Sequence, residues 1–542
     1  MVRSIDGNLV DVRRKEIVTA RISFEGDTII SVEEVPGSFD GYLIPGLIDS
    51  HIHIESSLIC PSRFAETVVP HGTTAVVAAP HEIANVLGLP GVEYMIKDSE
   101  TVPLRVYFTA PSCVPSTPFE TSGAAFGPAE IELMLARDDF VALGEMANYP
   151  GVINRDPEVL AKIEVARRLH KPIDGHAPLL SGAALRDYVS VGITTDHECT
   201  TSEEASEKAA LGMTIMVRQG SASKDLEALA PFAKQHEFLL VSDDKNVSEL
   251  IQGHLDKSLA EAVALGIDPI HALRAATINP ALHYNLPLGV IGPGRKADIV
   301  KVRDLESFEV LEVYIGGELV ATGGIPRFDI RPKEMVNRFS LRRRVPSDFE
   351  LVTKLQSVRA RVIGVIKDEI VTESLVEPLQ AEDGKVAPNV ESDVLRIAVV
   401  NRYRDAPVSN GFVKGFGLKK GAIASSVAHD SHNIISVGVS SDDMATAVNA
   451  LIEEGGGFCV CSGGSCTTLA LRVAGLMCTR PAHLVKREFD TLQDTVRSLG
   501  CTLDDPFMTM SFLSLLVIPK LKLGDRGLFD VDNFRFVDVI VA

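Results

Sequence analysis

The sequence predicts an α/β protein built on a (β/α)₈ barrel of the TIM type, with a small flanking β-sandwich domain and an additional C-terminal α/β domain. Eight short apolar runs alternate with helix-like stretches, polar residues follow each run, and strand-like alternation flanks the region on both sides. Buried parallel strands are expected as short continuous apolar runs separated by helices. At 542 residues the chain is also too long for a single core.

The predicted barrel strands lie at regular intervals along the chain. They are Leu47 to Asp49, Thr73 to Ala79, Leu104 to Thr109, Phe140 to Leu143, Pro172 to Asp174, Gly192 to Thr195, Met213 to Val217 and Phe238 to Val241. We therefore assign the barrel to residues 45–289. Residues 1–44 and 290–330 alternate in strand fashion and are predicted to pair into the small sandwich domain, and residues 335–542 form the C-terminal α/β domain.

Polar side chains follow every predicted strand. In chain order the strand ends are "HIH", "HE" at 81–82, "SC" at 112–113, "GE" at 144–145, "GHA" at 175–177, "DHE" at 196–198, "RQGS" at 218–221 and "SDD" at 242–244. The carboxyl ends of barrel strands converge on one mouth, where active sites are built. The sequence therefore predicts a functional site at this mouth.

The residue types at the strand ends favour a centre with two metal ions. The candidate donors are His51, His53, Glu145, His176, His197 and Asp243. In a strand, His51 and His53 point to the same side, so they could hold a first ion with Asp243. A second ion could bind His176 and His197, with Glu145 bridging; two ions sharing a water are a hydrolytic arrangement in which Asp243 can accept the proton of that water. Each residue alone could equally be a hydrogen-bonded loop residue or a helix cap, so the prediction depends on the shared mouth.

Composition excludes several other classes of function. A formal net charge of −20 and a pI near 5.2 disfavour nucleic-acid binding, and no apolar stretch has the eighteen or so residues of a membrane span. The N-terminus lacks an apolar signal region, and eight irregularly spaced cysteines are typical of the reduced thiols of a cytoplasmic protein. The stretch "FCVCSGGSC" (458–466) is interpreted as a Gly-rich turn between strands.

Several longer motifs carry a family resemblance. They are "PGLIDSHIHIESS", "PHEIANVLG", "SCVPSTP", "GEMANYPGVI", "DGHAPLLSG", "VRQGSA", "SDDKN", "ATINPALHY" and "AHDSHNI". They resemble the bacterial adenine deaminases of the metal-dependent amidohydrolase superfamily. The resemblance covers nearly the whole chain, including a C-terminal region that most other amidohydrolases lack.

This resemblance implies hydrolysis of adenine to hypoxanthine and ammonia by a metal-activated hydroxide that attacks C6 of the purine, as in purine salvage and adenine catabolism. It implies two divalent ions per chain, Mn²⁺ or Fe²⁺ with Zn²⁺ as an alternative, and a homo-oligomer, a dimer or higher. The six donors match the expected ligands position by position, and Asp243 and Glu82 are the implied catalytic residues, with Glu82 donating a proton to the purine ring. The implied substrate-binding residues are Ser112, Cys113, Arg218, His429 and His432.

Other functions stay open from the sequence. A related amidohydrolase could act on an N6-substituted adenine or on a cyclic amide. Hydrolases of cyclic amides commonly bridge their metals with a carbamylated lysine after the fourth strand, whereas this strand ends in Glu145 and no lysine occurs up to Arg155. A metal-loaded binding or scaffolding protein without catalysis is disfavoured because all six candidate ligands are present.

Overall fold

A computed structural model describes residues 2–221, 223–339, 341–367 and 369–541. The chain divides into two compact units. Unit 1 comprises Met1–Pro80, Glu93–Cys113 and Phe126–Lys333, and unit 2 comprises His81–Val92, Val114–Ala125 and Glu334–Ala542.

Seventeen strands among the described residues belong to unit 1. They are β1 (Val2–Asp11), β2 (Glu16–Glu25), β3 (Thr28–Glu34), β4 (Tyr42–Pro45), β5 (Leu47–His53), β6 (Thr73–Ala78), β7 (Arg105–Ala110), β8 (Phe140–Met146), β9 (Ile173–Gly175), β10 (Thr195–Asp196), β11 (Thr214–Arg218), β12 (Leu239–Val241), β13 (Asp243–Asp244), β14 (Ile299–Val302), β15 (Val310–Ile315), β16 (Glu318–Thr322) and β17 (Ile325–Pro326).

Two segments distant in sequence form one eight-stranded sheet in unit 1. The strand order is β17-β16-β15-β14-β4-β1-β2-β3, and β4 joins the two halves by pairing parallel with β1 and antiparallel with β14. Alternate residues of β2 are buried, as expected for a sheet with one covered face. The N-terminal segment and the segment after the barrel therefore pair, as the alternation predicts.

The barrel strands form two parallel sheets with the orders β13-β5-β6-β7-β8-β9 and β10-β11-β12. A backbone hydrogen bond of 2.9 Å from Thr194 to Ile173 links the start of β10 to β9, and β13, two residues after β12, pairs with β5. The array thus returns to its first strand, and the predicted barrel fold is confirmed. All eight apolar runs give strands, β5 to β12. The interior is filled by side chains such as Ile48, Val77 and Met216.

The helices of the described residues follow in chain order. They are α1 (Pro61–Val68), α2 (His81–Leu87), α3 (Leu89–Ser99), α4 (Pro128–Leu135), α5 (Tyr149–Ile153), α6 (Pro157–Arg168), α7 (Gly182–Ser190), α8 (Ser202–Ala210), α9 (Leu226–Ala233), α10 (Val247–Leu250), α11 (Leu255–Ala264), α12 (Pro269–Ala275), α13 (Ile278–His283), α14 (Ser441–Glu454), α15 (Ala482–Ser498) and α16 (Pro506–Ser511). Among these described helices, none combines the length and apolar character that crossing a membrane requires.

Unit 2 contains the remaining strands of the described residues. They are β18 (Ser357–Val365), β19 (Thr372–Glu382), β20 (Lys385–Val386), β21 (Val394–Val400), β22 (Ser409–Lys414), β23 (Ala422–Ser425), β24 (Ile434–Gly438), β25 (Gly457–Ser462), β26 (Ser465–Ala470), β27 (Leu521–Gly524), β28 (Gly527–Asp530), β29 (Arg535–Phe536) and β30 (Ile540–Val541). Ten of them form a mixed sheet of order β20-β19-β18-β22-β21-β24-β23-β25-β26, with β30 paired to β18, and α14 packs on this sheet. The predicted C-terminal α/β region is thus rich in antiparallel strands.

A disulfide corrects one prediction. Cys461 and Cys466 lie directly opposite each other in the β25–β26 hairpin, with a Cα–Cα distance of 4.2 Å, and are bonded. The expectation of eight reduced thiols is wrong for this pair. Gly463 and Gly464 take positive φ angles in the tight turn, which brings two residues five positions apart into register. The interpretation of this stretch as a Gly-rich turn between strands is confirmed.

Candidate metal centre and active site

Strand β5 carries the first two candidate ligands. Its seven residues are all buried, and period-two geometry turns His51 and His53 to one side and Ile52 to the other. The strand extends through both histidines instead of ending before them. The backbone that carries both rings is held on two sides, by β6, whose register with β5 shifts between Asp49 and Ile52, and by β13 at Ile52 and His53.

Asp243 completes the first cluster. Its Oδ1 lies 3.1 Å from His51 Nε2 and 3.1 Å from His53 Nε2. Pairing of β13 with β5 sets Asp243 opposite Ile52, between the two histidines. Asp243 has a φ of 55°, a left-handed conformation that is strained for most residues but tolerated by aspartate, and such strain is concentrated at functional sites.

A second cluster forms at the ends of β9 and β10. His176 Nδ1 lies 3.1 Å from His197 Nε2, and Glu145 Oε2 is 3.3 Å from the former and 3.5 Å from the latter. The other carboxylate oxygen, Glu145 Oε1, is 3.5 Å from His53 Nε2 in the first cluster. Glu145 therefore faces both clusters, one oxygen to each, as a bridging carboxylate would.

The donor set fits divalent ions. Within the clusters, neighbouring ring nitrogens and carboxylate oxygens lie 3.1–3.5 Å from one another. This is the spacing of donor atoms that share one ion. His53 Nδ1 lies 3.0 Å from the carbonyl oxygen of Ala79 and donates to it, so Nε2 is the nitrogen that faces Asp243 and would bind a metal. Imidazole and carboxylate donors suit Mn, Fe and Zn. The six candidate donors form two groups that Glu145 joins.

Charge balance keeps Asp243 ionised. Burial opposes ionisation, but hydrogen bonds with His51 and His53 and the nearby Arg218 guanidinium outweigh it and hold the pKa of Asp243 well below its usual range. Arg218 Nη1 is 3.2 Å from Asp243 Oδ2, the oxygen that faces away from the histidines. The carboxylate is thus held by both of its oxygens.

Two buried aspartates that the sequence prediction did not assign position the ligands. Asp49 Oδ1 accepts hydrogen bonds from the backbone N–H groups of His51 and Ser242, at 3.3 and 3.2 Å, and its Oδ2 lies 3.0 Å from His254 Nε2. It therefore joins β5 to the residue before Asp243. The aspartate inside "LIDSHIH" was a sign of this role, because a charged residue in a buried strand needs partners.

Asp196 plays the corresponding role in the second cluster. Its Oδ1 accepts from the Ala177 N–H at 2.8 Å, and its Oδ2 accepts from Lys208 Nζ at 2.9 Å. Lys208 Nζ also donates to the Ala177 carbonyl oxygen at 2.7 Å. Both side chains are fully buried. Nothing in the pattern around Lys208, which lies eleven residues after His197, indicates this contact.

The remaining predicted residues of unit 1 surround the ligands. Ser112 Oγ donates to the backbone carbonyl oxygen of Glu145 at 2.7 Å, and Cys113 Sγ is 3.2 Å from Ser112 Oγ. Arg218 contacts three carboxylates: those of Glu198, Asp225 and Asp243. Glu198 was not assigned from the sequence, although the "DHE" stretch places it directly after His197.

Glu82, His429 and His432 come together within unit 2. His429 Nδ1 lies 2.8 Å from Glu82 Oε1, His432 Nε2 contacts Glu82 Oε2, and His81 Nε2 is 3.1 Å from Glu82 Oε1. Burial opposes ionisation of Glu82, but His429, His81 and His432 outweigh it and hold the pKa of Glu82 well below its usual range.

The tautomer of His432 follows from its second nitrogen. The backbone N–H of Ala428 donates to His432 Nδ1 at 3.1 Å, so Nδ1 carries no proton. Burial lowers the pKa of His432, and the single proton of the neutral ring is therefore on Nε2, which donates to Glu82. If His432 bound a metal through Nε2, its other nitrogen, Nδ1, would carry the proton and donate a hydrogen bond. His432 is thus a hydrogen-bond donor to a resting carboxylate.

Comparison with known proteins agrees with the geometry. The model of the "Amidohydrolase family" matches residues 42–320, and that of the "Adenine deaminase C-terminal domain" matches residues 369–535. An adenine deaminase of Methanothermobacter thermautotrophicus is 48% identical over 543 residues, covering 99% of each chain. The chain belongs to the adenine deaminase family. Further family members from Methanosphaera stadtmanae and Salinibacter ruber are 46% and 45% identical, each over 99% of both chains.

Family membership confirms the resemblance that the motifs indicate. It also confirms the class of the protein, which is an amidohydrolase-type hydrolase that acts on C–N bonds. The family is typically metal-dependent, and the described residues include buried groups of histidine and carboxylate that could hold ions, His51, His53 and Asp243 among them.

Proposed function

We propose that this chain hydrolyses adenine to hypoxanthine and ammonia. The observation that carries the proposal is the pair of ligand clusters joined by Glu145, in a chain that aligns end to end with relatives named adenine deaminase. A carboxylate occupies the bridging place that hydrolases of cyclic amides commonly give to a carbamylated lysine. This favours deamination over the cyclic-amide alternative.

Two divalent ions, Mn²⁺ or Fe²⁺, are proposed per chain. His51, His53 and Asp243 would hold one, His176 and His197 the other, and Glu145 would contact both. When bound, such ions lower the pKa of water towards neutrality and stabilise the negative charge that develops in hydrolysis.

Asp243 is proposed as the general base. It is ionised, and its carboxylate is held by histidines on one oxygen and Arg218 on the other, so its orientation is fixed before substrate binds. It would accept the proton of the attacking water and return it to the departing amino group, which leaves as ammonia. Arg218 touches the base, so we propose that it orients Asp243 beside the substrate.

Glu82 is proposed to transfer a proton to the purine ring. Because Glu82 rests as a carboxylate, it must first take up a proton from solvent and then donate it to the ring nitrogen, and the second proton of the attacking water returns to solvent when the C6 carbonyl of hypoxanthine forms. His429 and His432 each direct one ring nitrogen to this carboxylate, so we propose that they position Glu82 as well as line the purine pocket. Ser112 and Cys113, next to the backbone of Glu145 in unit 1, are proposed as further substrate-binding residues because the family resemblance implies this role.

Location and assembly follow from the resemblance. We propose a cytoplasmic homo-oligomer; six cysteines are free, and five of these are buried, which supports a reducing compartment in spite of the Cys461–Cys466 bond.

Chromatography of substrate loss and product formation with purified, Mn²⁺-loaded protein tests the function, because adenine would release ammonia, N6-methyladenine would release methylamine, and a cyclic amide would open without releasing an amine. Adenine, N6-methyladenine and a cyclic amide such as dihydroorotate should be compared at equal concentrations. We expect kcat/KM for adenine to exceed the others by at least about 100-fold, since a pocket built around hydrogen bonds rejects wrong partners strongly. Hydrolysis of another substrate without hydrolysis of adenine, by protein that holds two ions, would contradict the proposal.

A further inference from the structure

The second ligand cluster has a fourth member that the strand-end pattern left unassigned. Glu198 follows His197 directly, and its side chain is only 12% exposed. Its Oε1 lies 3.5 Å from His176 Nδ1 and 3.4 Å from His197 Nε2. The geometry points to Glu198 as a ligand of the second metal ion, an assignment that rests on the proposed binuclear centre.

The distances describe a tetrahedron. Donors about 2.1 Å from a central ion at the corners of a tetrahedron lie about 3.4 Å apart. The four corners would be His176 Nδ1, His197 Nε2, Glu145 Oε2 and Glu198 Oε1. The two nitrogens lie 3.1 Å apart, Glu145 Oε2 lies 3.3 and 3.5 Å from them, and Glu198 Oε1 lies 3.5 and 3.4 Å from them, in the same order. Glu198 thus closes a set that His176, His197 and Glu145 leave with three corners.

Arg218 supports this role instead of competing with it. Its Nη1 is 2.5 Å from Glu198 Oε1 and 3.2 Å from Asp243 Oδ2. Carboxylates that bind metals are themselves hydrogen-bonded by outer partners, which fix their direction. One guanidinium therefore holds a carboxylate of each cluster, Asp243 in the first and Glu198 in the second.

The added carboxylate has a consequence for metal choice. The second ion would be held by two imidazoles and two carboxylates, a donor set richer in hard oxygen than three ligands give. Oxygen donors suit Mn²⁺ and Fe²⁺, which accept more than four ligands, whereas structural zinc sites close at four. Manganese or iron at this position would therefore add further ligands, such as water, to the four donors that include Glu198.

Mn²⁺ titration of metal-free full-length protein by equilibrium dialysis, with metal counted by mass spectrometry, tests the assignment. The wild type should bind about two ions. Glu198→Gln keeps the shape of the side chain and an oxygen for Arg218, and should weaken the second ion by at least about 10–100-fold while the first binds unchanged. Glu203→Gln, an exposed neighbour with the same change of charge, is the matched control and should bind as the wild type does.

Arg218→Met separates direct ligation from an indirect effect. If Glu198 is a ligand, loss of Arg218 should weaken the second ion less than E198Q does. Two tightly bound ions in E198Q, loss of the first ion as well, or an equal loss in R218M would each overturn the assignment. The assay with adenine tests the reaction separately. A wild type that binds two ions but releases no ammonia from adenine would refute the proposed reaction and would not affect the test of Glu198 as a ligand.

Discussion

Replacing Lys208 by methionine tests how the second cluster is held in place. Lys208 is fully buried on α8, and its Nζ donates to Asp196 at 2.9 Å, to Glu204 at 2.7 Å and to the Ala177 carbonyl oxygen at 2.7 Å. Burial opposes its charge, but Asp196 and other neighbours outweigh burial and raise the pKa of Lys208. Ala177 and Asp196 are the chain neighbours of His176 and His197.

The expected cost is large because Lys208→Met leaves the carboxylate of Asp196 buried without its cation. Removing one partner of a buried ion pair destabilises a protein by about 3–5 kcal/mol. Unit 1 contains about 300 residues, for which the unfolding entropy is about 0.6–0.7 kcal/mol/K, so Tm should fall by about 5–8 °C. The second metal ion should bind more weakly than the first, because both of its histidines adjoin the disrupted contacts.

Differential scanning calorimetry of metal-free protein isolates the packing effect from metal binding. The exposed Lys224→Met, which breaks a surface pair with Glu249, is the control and should change Tm by less than about 1 °C. The double variant K208M/D196N removes both buried charges and should recover part of the loss. A Tm for K208M within about 2 °C of the wild type, with unchanged affinity for both ions, would refute the role given to this lysine.

The remaining predictions concern the base and a buried acid. Asp243→Asn keeps an oxygen near the first ion but removes the base, so turnover should fall by about 10²–10⁴ with a smaller change in metal content; a variant that retains more than a tenth of the activity would point to another base, such as Asp244. Burial, with the Asp430 and Asp525 carboxylates nearby, raises the pKa of Glu120 from 4.5 to about 8. The folded state therefore keeps a proton that the unfolded state loses, and unit 2 should lose up to about 5 kcal/mol as pH rises from about 4.5 to 8. Urea unfolding of Glu120→Gln across this range should lack that loss, whereas the exposed Glu391→Gln should retain it; a wild type whose stability is flat over the same range would contradict the prediction.

The pattern of apolar and polar residues along the chain was sufficient to predict the barrel strands. Apolar runs of strand length, separated by helix-length segments, predict the eight barrel strands, because burial on both faces imposes continuous apolar sequence. The HxH spacing predicts that His51 and His53 lie on the same side of their strand, because side chains in a strand point alternately to its two sides. Even the short β10 was found, although it begins at Thr195, three residues later than the run predicts.

The strand ends identified candidates but not their partners. The structure brings Glu145 within reach of both clusters and joins Glu82 to His429 and His432, residues almost 350 positions away. Sequence spacing cannot reveal such pairs, since their proximity depends on the packing of distant elements. The same holds for Cys461 and Cys466, whose pairing follows from hairpin register.

The sequence by itself determined the fold class and the family and gave the candidate metal ligands, because these depend on periodicity and on motifs that are contiguous in the chain. Only the tertiary structure decided how the charges are compensated. Lys208 beneath Asp196, and Arg218 between Glu198 and Asp243, are buried ions that are stable only next to an opposite charge. That requirement is met in space, by residues from different strands and helices, and leaves no regular spacing along the chain.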